Sequence, residues 1–109
     1  MTDRLLSVLL IFLMTMTAAA LAQELDEVTI VQKNRDFLAN ELTVSAGSVL
    51  AFSNLDEFPH QISAKGAGVL VTSGLQRTGE VLRIPAPQPG EIQVRCGIHP
   101  RMRLAVHVR

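Results

Sequence analysis

The stretch EIQVRCGIHPRMRLAVHV, residues 91–108, holds two β-rich runs joined by a short loop that contains Gly97 and Pro100. The first run, EIQVRC (91–96), ends on the only cysteine of the chain. The second, LAVHV (104–108), alternates, placing Leu104, Val106 and Val108 on one face and Ala105 and His107 on the other. Working outward, the same kind of run recurs at EVTIVQ (27–32), ELTVSA (41–46), SVLAFS (48–53), QISA (61–64) and EVLRIP (80–85). Turn-forming residues separate the runs at Ala46-Gly47, 54–59, 65–68, Ser73-Gly74, Thr78-Gly79 and 85–90. No segment carries a helical period of useful length. The chain is therefore expected to be all-β, with about seven short strands in one two-sheet sandwich or barrel. Residues 65–75 read as a long surface connection.

The other end of the chain indicates the compartment. Residues 1–4 are a short polar start with Arg4, residues 5–16 are an apolar run broken only by Ser7 and Thr15, and Ala20-Leu21-Ala22 offers the small residues of a cleavage site. About 12 apolar residues fall short of the ~20 that a membrane-spanning helix needs, so residues 1–22 read as a signal peptide cleaved after Ala22. No cysteine lies near that junction to carry a lipid, so no stable membrane insertion is expected. The remainder, residues 23–109, is one small domain of a size whose core alone gives only a few kcal/mol. Disulfides are the usual aid for an exported domain, yet a single cysteine cannot form an internal one. Ligation to a metal would protect the thiol and tie together the loops that carry the ligands.

The formal net charge is zero, but its distribution is uneven. Residues 23–57 carry Glu24, Asp26, Glu27, Asp36, Glu41, Asp56 and Glu57 against Lys33 and Arg35. Residues 91–109 carry Arg95, Arg101, Arg103 and Arg109 against Glu91. Neither block is a run of like charges, and no nucleic-acid partner is expected.

Chemistry concentrates in the loop after Cys96. His99 follows three residues later and Met102 three after that, so a tight loop could turn all three side chains toward one centre. A thiolate with two imidazoles is the trigonal set that copper favours, and a thioether completes it weakly along the axis. The second imidazole must come from elsewhere, and His60, at the start of QISA after the loop NLDEFP, qualifies. His107, on the outward phase of the last strand, reads as a solvated histidine. Each residue also has a plainer reading: Cys96 as a small buried hydrophobe, Met102 as a core filler, His60 as a hydrogen-bonded loop residue. Their coincidence favours a metal. Structural zinc usually takes four cysteine or histidine ligands, which makes a thioether a poor fourth. No nucleophile motif, phosphate-binding glycine loop or HExxH is present, so no stand-alone enzyme is expected.

These residues resemble the cupredoxin superfamily, the small type 1 (blue) copper proteins that include plastocyanin, pseudoazurin and amicyanin. FLANELTVSAGSVLAFSN (37–54) is similar to the family's opening strand pair and FPHQI (58–62) to the strand with its first histidine. SGLQRTGEVLRIP (73–85) and PGEIQVRCGIHPRM (89–102) complete the likeness, and the Cys-x-x-His-Pro-x-Met spacing is that of the short amicyanin-like ligand loop. The resemblance implies a Greek-key β-sandwich with one type 1 copper per chain. In it His60, Cys96 and His99 would form the trigonal set and Met102 the weak axial ligand. Gln61 stands where the family commonly has an asparagine whose backbone amide helps hold the cysteine sulfur, Ile92 stands in place of a frequent aromatic, and Ala39 in place of a frequent proline.

The resemblance further implies a monomeric periplasmic electron carrier. His60 would be buried and His99 would present its ring edge to protein redox partners. Arg101 and Arg103 flank that edge in the sequence, so the partners are expected to carry an acidic docking patch. The alternatives are a copper-trafficking or storage protein and a structural β-sandwich with a vestigial site.

Overall fold

The computed structural model describes residues 26–109, so the proposed signal peptide lies outside the described residues. Every regular element there is a strand: β1 (Glu27–Lys33), β2 (Asp36–Phe37), β3 (Glu41–Val44), β4 (Val49–Asn54), β5 (Ile62–Gly66), β6 (Val69–Thr72), β7 (Val81–Pro85), β8 (Gly90–Cys96) and β9 (Arg103–Val108). They form two sheets, ordered β2-β1-β4-β7 and β3-β9-β8-β5-β6. The β1–β4 and β3–β9 pairs are parallel and the rest antiparallel. The seven expected runs are all strands. No helix among the described residues is long and apolar enough to cross a membrane.

Residues 65–75 are not the long connection expected of them. β5 runs on to Gly66, turns through Ala67 and Gly68, and returns as β6, with Gly66 paired to Val69. Both turn residues have positive φ, 45° and 78°, the condition for a two-residue hairpin whose twist matches its strands. β2 also lies outside the seven runs. It follows a second two-residue turn, at Asn34 and Arg35, with φ of 55° and 58°.

The inward residues of the two sheets meet in one core. Leu50 and Phe52 of β4 and Ile84 of β7 pack with Ile62 of β5, Ile92 and Val94 of β8, and Leu104 and Val106 of β9. Phe52 is fully buried and meets Phe37 edge to face with centroids 6.3 Å apart. Burying each such side chain is worth roughly 1.5–3 kcal/mol. β8 lies between β9 and β5, with Ile62 opposite Cys96 and Arg95 opposite Arg103. That register brings the end of β8 and the starts of β5 and β9 to one end of the sandwich.

Candidate metal centre

Cys96, the last residue of β8, continues the inward phase of Ile92 and Val94 and is buried. The next six residues form a closed loop: the Cys96 N–H donates to the Met102 carbonyl (3.2 Å) and the Met102 N–H to that of His99 (2.9 Å). A Cβ at Gly97 would meet the side-chain oxygen of Gln61, the far end of a flexible side chain, so glycine here leaves room for Gln61 to lie against the loop. Met102, at the end of the loop, is fully buried within the core.

His60 reaches the same place from the other direction. Its backbone bridges to Gln76, donating to that carbonyl (2.9 Å) and accepting from that N–H (2.6 Å). Its ring is fully buried. His60 Nδ1 lies 3.7 Å from Cys96 Sγ, His99 Nδ1 lies 3.8 Å from it, and the two nitrogens are 3.1 Å apart. His60, Cys96 and His99 thus offer three donor atoms within 4.8 Å of one another. A first-row divalent ion with bonds of about 2.3 Å to sulfur and 2.0 Å to nitrogen, at the middle of a trigonal plane, requires sulfur–nitrogen edges of about 3.7 Å. The observed sulfur–nitrogen edges fit such an ion, the nitrogen–nitrogen edge of 3.1 Å is shorter than the about 3.5 Å that the same bonds require, and one soft and two borderline donors suit copper.

The sulfur and the buried imidazole are each held from behind. The Gln61 backbone N–H points at Cys96 Sγ from 3.5 Å, so the amide survives the replacement of asparagine by glutamine. Asp56 Oδ2 lies 3.1 Å from His60 Nε2. A carboxylate only accepts, so Nε2 carries the proton and the lone pair of Nδ1 faces the sulfur. Asp56 is itself buried. Burial works to raise its carboxyl, but the Arg35 backbone N–H (2.7 Å), the His60 ring and the Glu57 N–H (2.9 Å) outweigh it and hold the group below the usual aspartate value.

Asn54 shapes the loop between β4 and His60. Its Oδ1 accepts from the Asp56 N–H (2.9 Å), and its Nδ2 donates to the carbonyls of Phe58 and Gln76, each at 3.0 Å. Gln76 is buried in turn, donating to the carbonyls of Phe52 (2.8 Å) and Glu80 (2.9 Å) and accepting from Gln32 Nε2 (2.8 Å). Asn54, Asp56 and Gln76 carry no motif in the sequence. The one available hint was that Asp56 stands four residues before His60.

His99 is only half-buried. Its ring meets Phe58 edge to face, with centroids 6.5 Å apart, and the Arg35 guanidinium lies over the other ring, 4.2 Å from its centroid. His99 opens onto a surface groove shared with Arg35, Asp36, Ile98, Pro100 and Arg101. Of the two arginines expected beside it, Arg101 lines this groove, whereas Arg103 lines a neighbouring concavity. His107 is partly exposed, 3.4 Å from Glu41, and is not part of the cluster.

A two-sheet sandwich with a cysteine and two histidines converging at one end defines a small β-sandwich metalloprotein. The family model described as the Cupredoxin-like domain matches residues 6–106, and the chain belongs to that family. Its centre is that of one type 1 copper per chain. Among solved structures, the chain is similar to amicyanin from Paracoccus versutus, at 24% identity and a TM-score of 0.68, covering 84% of this chain and 88% of that one. It is also similar to a purple cupredoxin from Nitrosopumilus maritimus, at 19% identity and a TM-score of 0.64, covering 77% and 99%. A copper-containing nitrite reductase from Thermus scotoductus aligns at 25% identity and a TM-score of 0.72 over 81% of this chain, which spans 23% of the enzyme's length. No curated protein matches the chain.

Proposed function

We propose that the protein is an exported, monomeric electron carrier that passes single electrons between protein redox partners. The observation that carries this reading is the pairing of a buried donor triangle with a surface-facing edge of one of its members, His99. His60, Cys96 and His99 would hold the ion, and Met102, buried at the end of the same loop, would be its fourth, weaker ligand. Bound there, copper supplies a one-electron couple. The chain supplies constancy of geometry. Cys96 is fixed at a strand end, His60 by its bridge to Gln76 and by Asp56, and the loop by its two backbone hydrogen bonds. With four side chains assigned as ligands, no position is left for a substrate, which favours a carrier over a stand-alone enzyme. His99 opens the path to partners, with Ile98 exposed at its side and Arg101 and Arg35 in the same groove, a surface suited to a partially apolar, acidic face.

The test is to express residues 23–109, add Cu(II), and record visible absorption, EPR and cyclic voltammetry. A copper–thiolate band with a reversible couple is the expected result, and Cys96→Ser should abolish both. Tight Cu(I) binding without a reversible couple would instead identify a copper store.

A further inference from the structure

On the solvent face of the five-stranded sheet, at the metal end, Ser63 of β5, Arg95 of β8 and Arg103 of β9 stand side by side in one row. Arg95 and Arg103 are exposed direct cross-strand neighbours. Like charges so placed repel. Among the described residues neither has a carboxylate within ion-pair distance, for the ion pairs formed are His60–Asp56, Arg83–Glu27 and His107–Glu41. The nearest carboxylates on this face are engaged elsewhere, Glu41 with His107 and Glu91 with the amide of Gln93. Arg103 is also steered toward the loop, its Nε lying 3.4 Å from the Pro100 carbonyl. Together with Gly97, Pro100 and the edge of Cys96, the row borders a concavity of about 310 Å³.

We propose that the Ser63–Arg95–Arg103 row is a docking surface for the carboxylates of an acidic protein partner. It is separate from the groove at His99 and sits against the flank of the metal-binding loop. Two forked guanidiniums and a hydroxyl in line match a pair of neighbouring carboxylates better than an isolated ion. A partner seated here would lie over the Cys96 end of β8 rather than over the ring of His99. As an electron-transfer surface the row rests on the carrier reading; as a protein-binding surface it can be tested apart from it.

The test is to titrate ¹⁵N-labelled, Cu(I)-loaded protein with hexaglutamate peptide at low ionic strength, following amide shifts. Shifts are expected at Ser63, Arg95, Gly97 and Arg103. The double variant R95Q/R103Q should bind at least about tenfold more weakly, while R83Q, which removes a positive charge from the other sheet, should bind within about twofold of the parent. Because both arginines are exposed and repel each other, the double variant should unfold at a midpoint no lower than the parent's, which verifies its fold. Shifts confined to Arg35, Ile98 and Arg101, or a double variant that binds as well as the parent, would overturn the docking row and leave the carrier reading intact. Inorganic phosphate matching the peptide in strength and shift pattern at equal ionic strength would overturn its assignment to a protein partner. The absence of a reversible couple in the parent would overturn the carrier reading alone, and the peptide shifts would still decide the row.

Discussion

Asp56 decides which nitrogen of His60 is free to bind. Replacing it with alanine leaves a buried Nε2–H without its acceptor and removes an acceptor from the Arg35 and Glu57 amides. Asp56→Ala should therefore cost about 1–3 kcal/mol of apo-protein stability in urea unfolding. It should also weaken copper binding by about 10–100-fold in a competition titration. Asp56→Asn keeps an oxygen that can accept from His60, so its loss in affinity should be the smaller of the two; equal losses would show that charge, not ring orientation, is what Asp56 contributes. The donors themselves were legible because sulfur and imidazole are rare in this chain and their spacing suits a loop. Asp56 was not, since an aspartate in a polar loop looks the same in sequence whether it faces water or a buried ring. The immediate neighbours of His60, Pro59 and Gln61, carry no charge, whereas the charge that matters comes from four residues earlier.

At the scale of elements, the seven strands with alternating or continuous apolar runs could be read directly, because each contributes a face to the core. β6 could not. It is an edge strand in which only Val69 is buried and Leu70 is 80% exposed, so its pattern lacks the burial that makes a strand visible. The glycines of residues 65–68 look like a loop, but Gly66 is there because the backbone closes onto β8. Its φ is +123°, and a Cβ would collide with the Glu91 carbonyl. Gly47 also has positive φ, +92°, but no atom lies within 4 Å of a Cβ built there. Gly47→Ala should cost about 1 kcal/mol from backbone conformation alone. Gly66→Ala should cost at least about 2–3 kcal/mol by chemical denaturation, since β5 and β8 must part as well. Equal costs would mean that the β5–β8 contact yields easily.

For the molecule as a whole, the metal would join segments far apart in sequence, His60 before β5 and the loop after β8. Copper at about 1,000 times its dissociation constant should add about 4 kcal/mol to the unfolding free energy, read as a rise in midpoint on loading. Cys96→Ser should lose most of that rise. The net charge is zero, so electrostatic steering can arise only from the uneven arrangement of charges, with Arg35, Arg95, Arg101 and Arg103 at the metal end. Oxidation of the Cu(I) protein by ferricyanide, an anionic probe, should slow by about tenfold between 0.01 and 1 M salt as the Debye length shrinks from about 30 to 3 Å. A rate independent of salt would remove the electrostatic component. The turn at Arg35 gives this surface a second property. Its amide steadies Asp56 behind the deep imidazole, while its guanidinium rests on the ring that abuts the shallow one. A visiting acid that drew that guanidinium away would bare the face of Phe58 beside His99, so the residue whose amide anchors Asp56 is also one that an arriving partner meets at the surface.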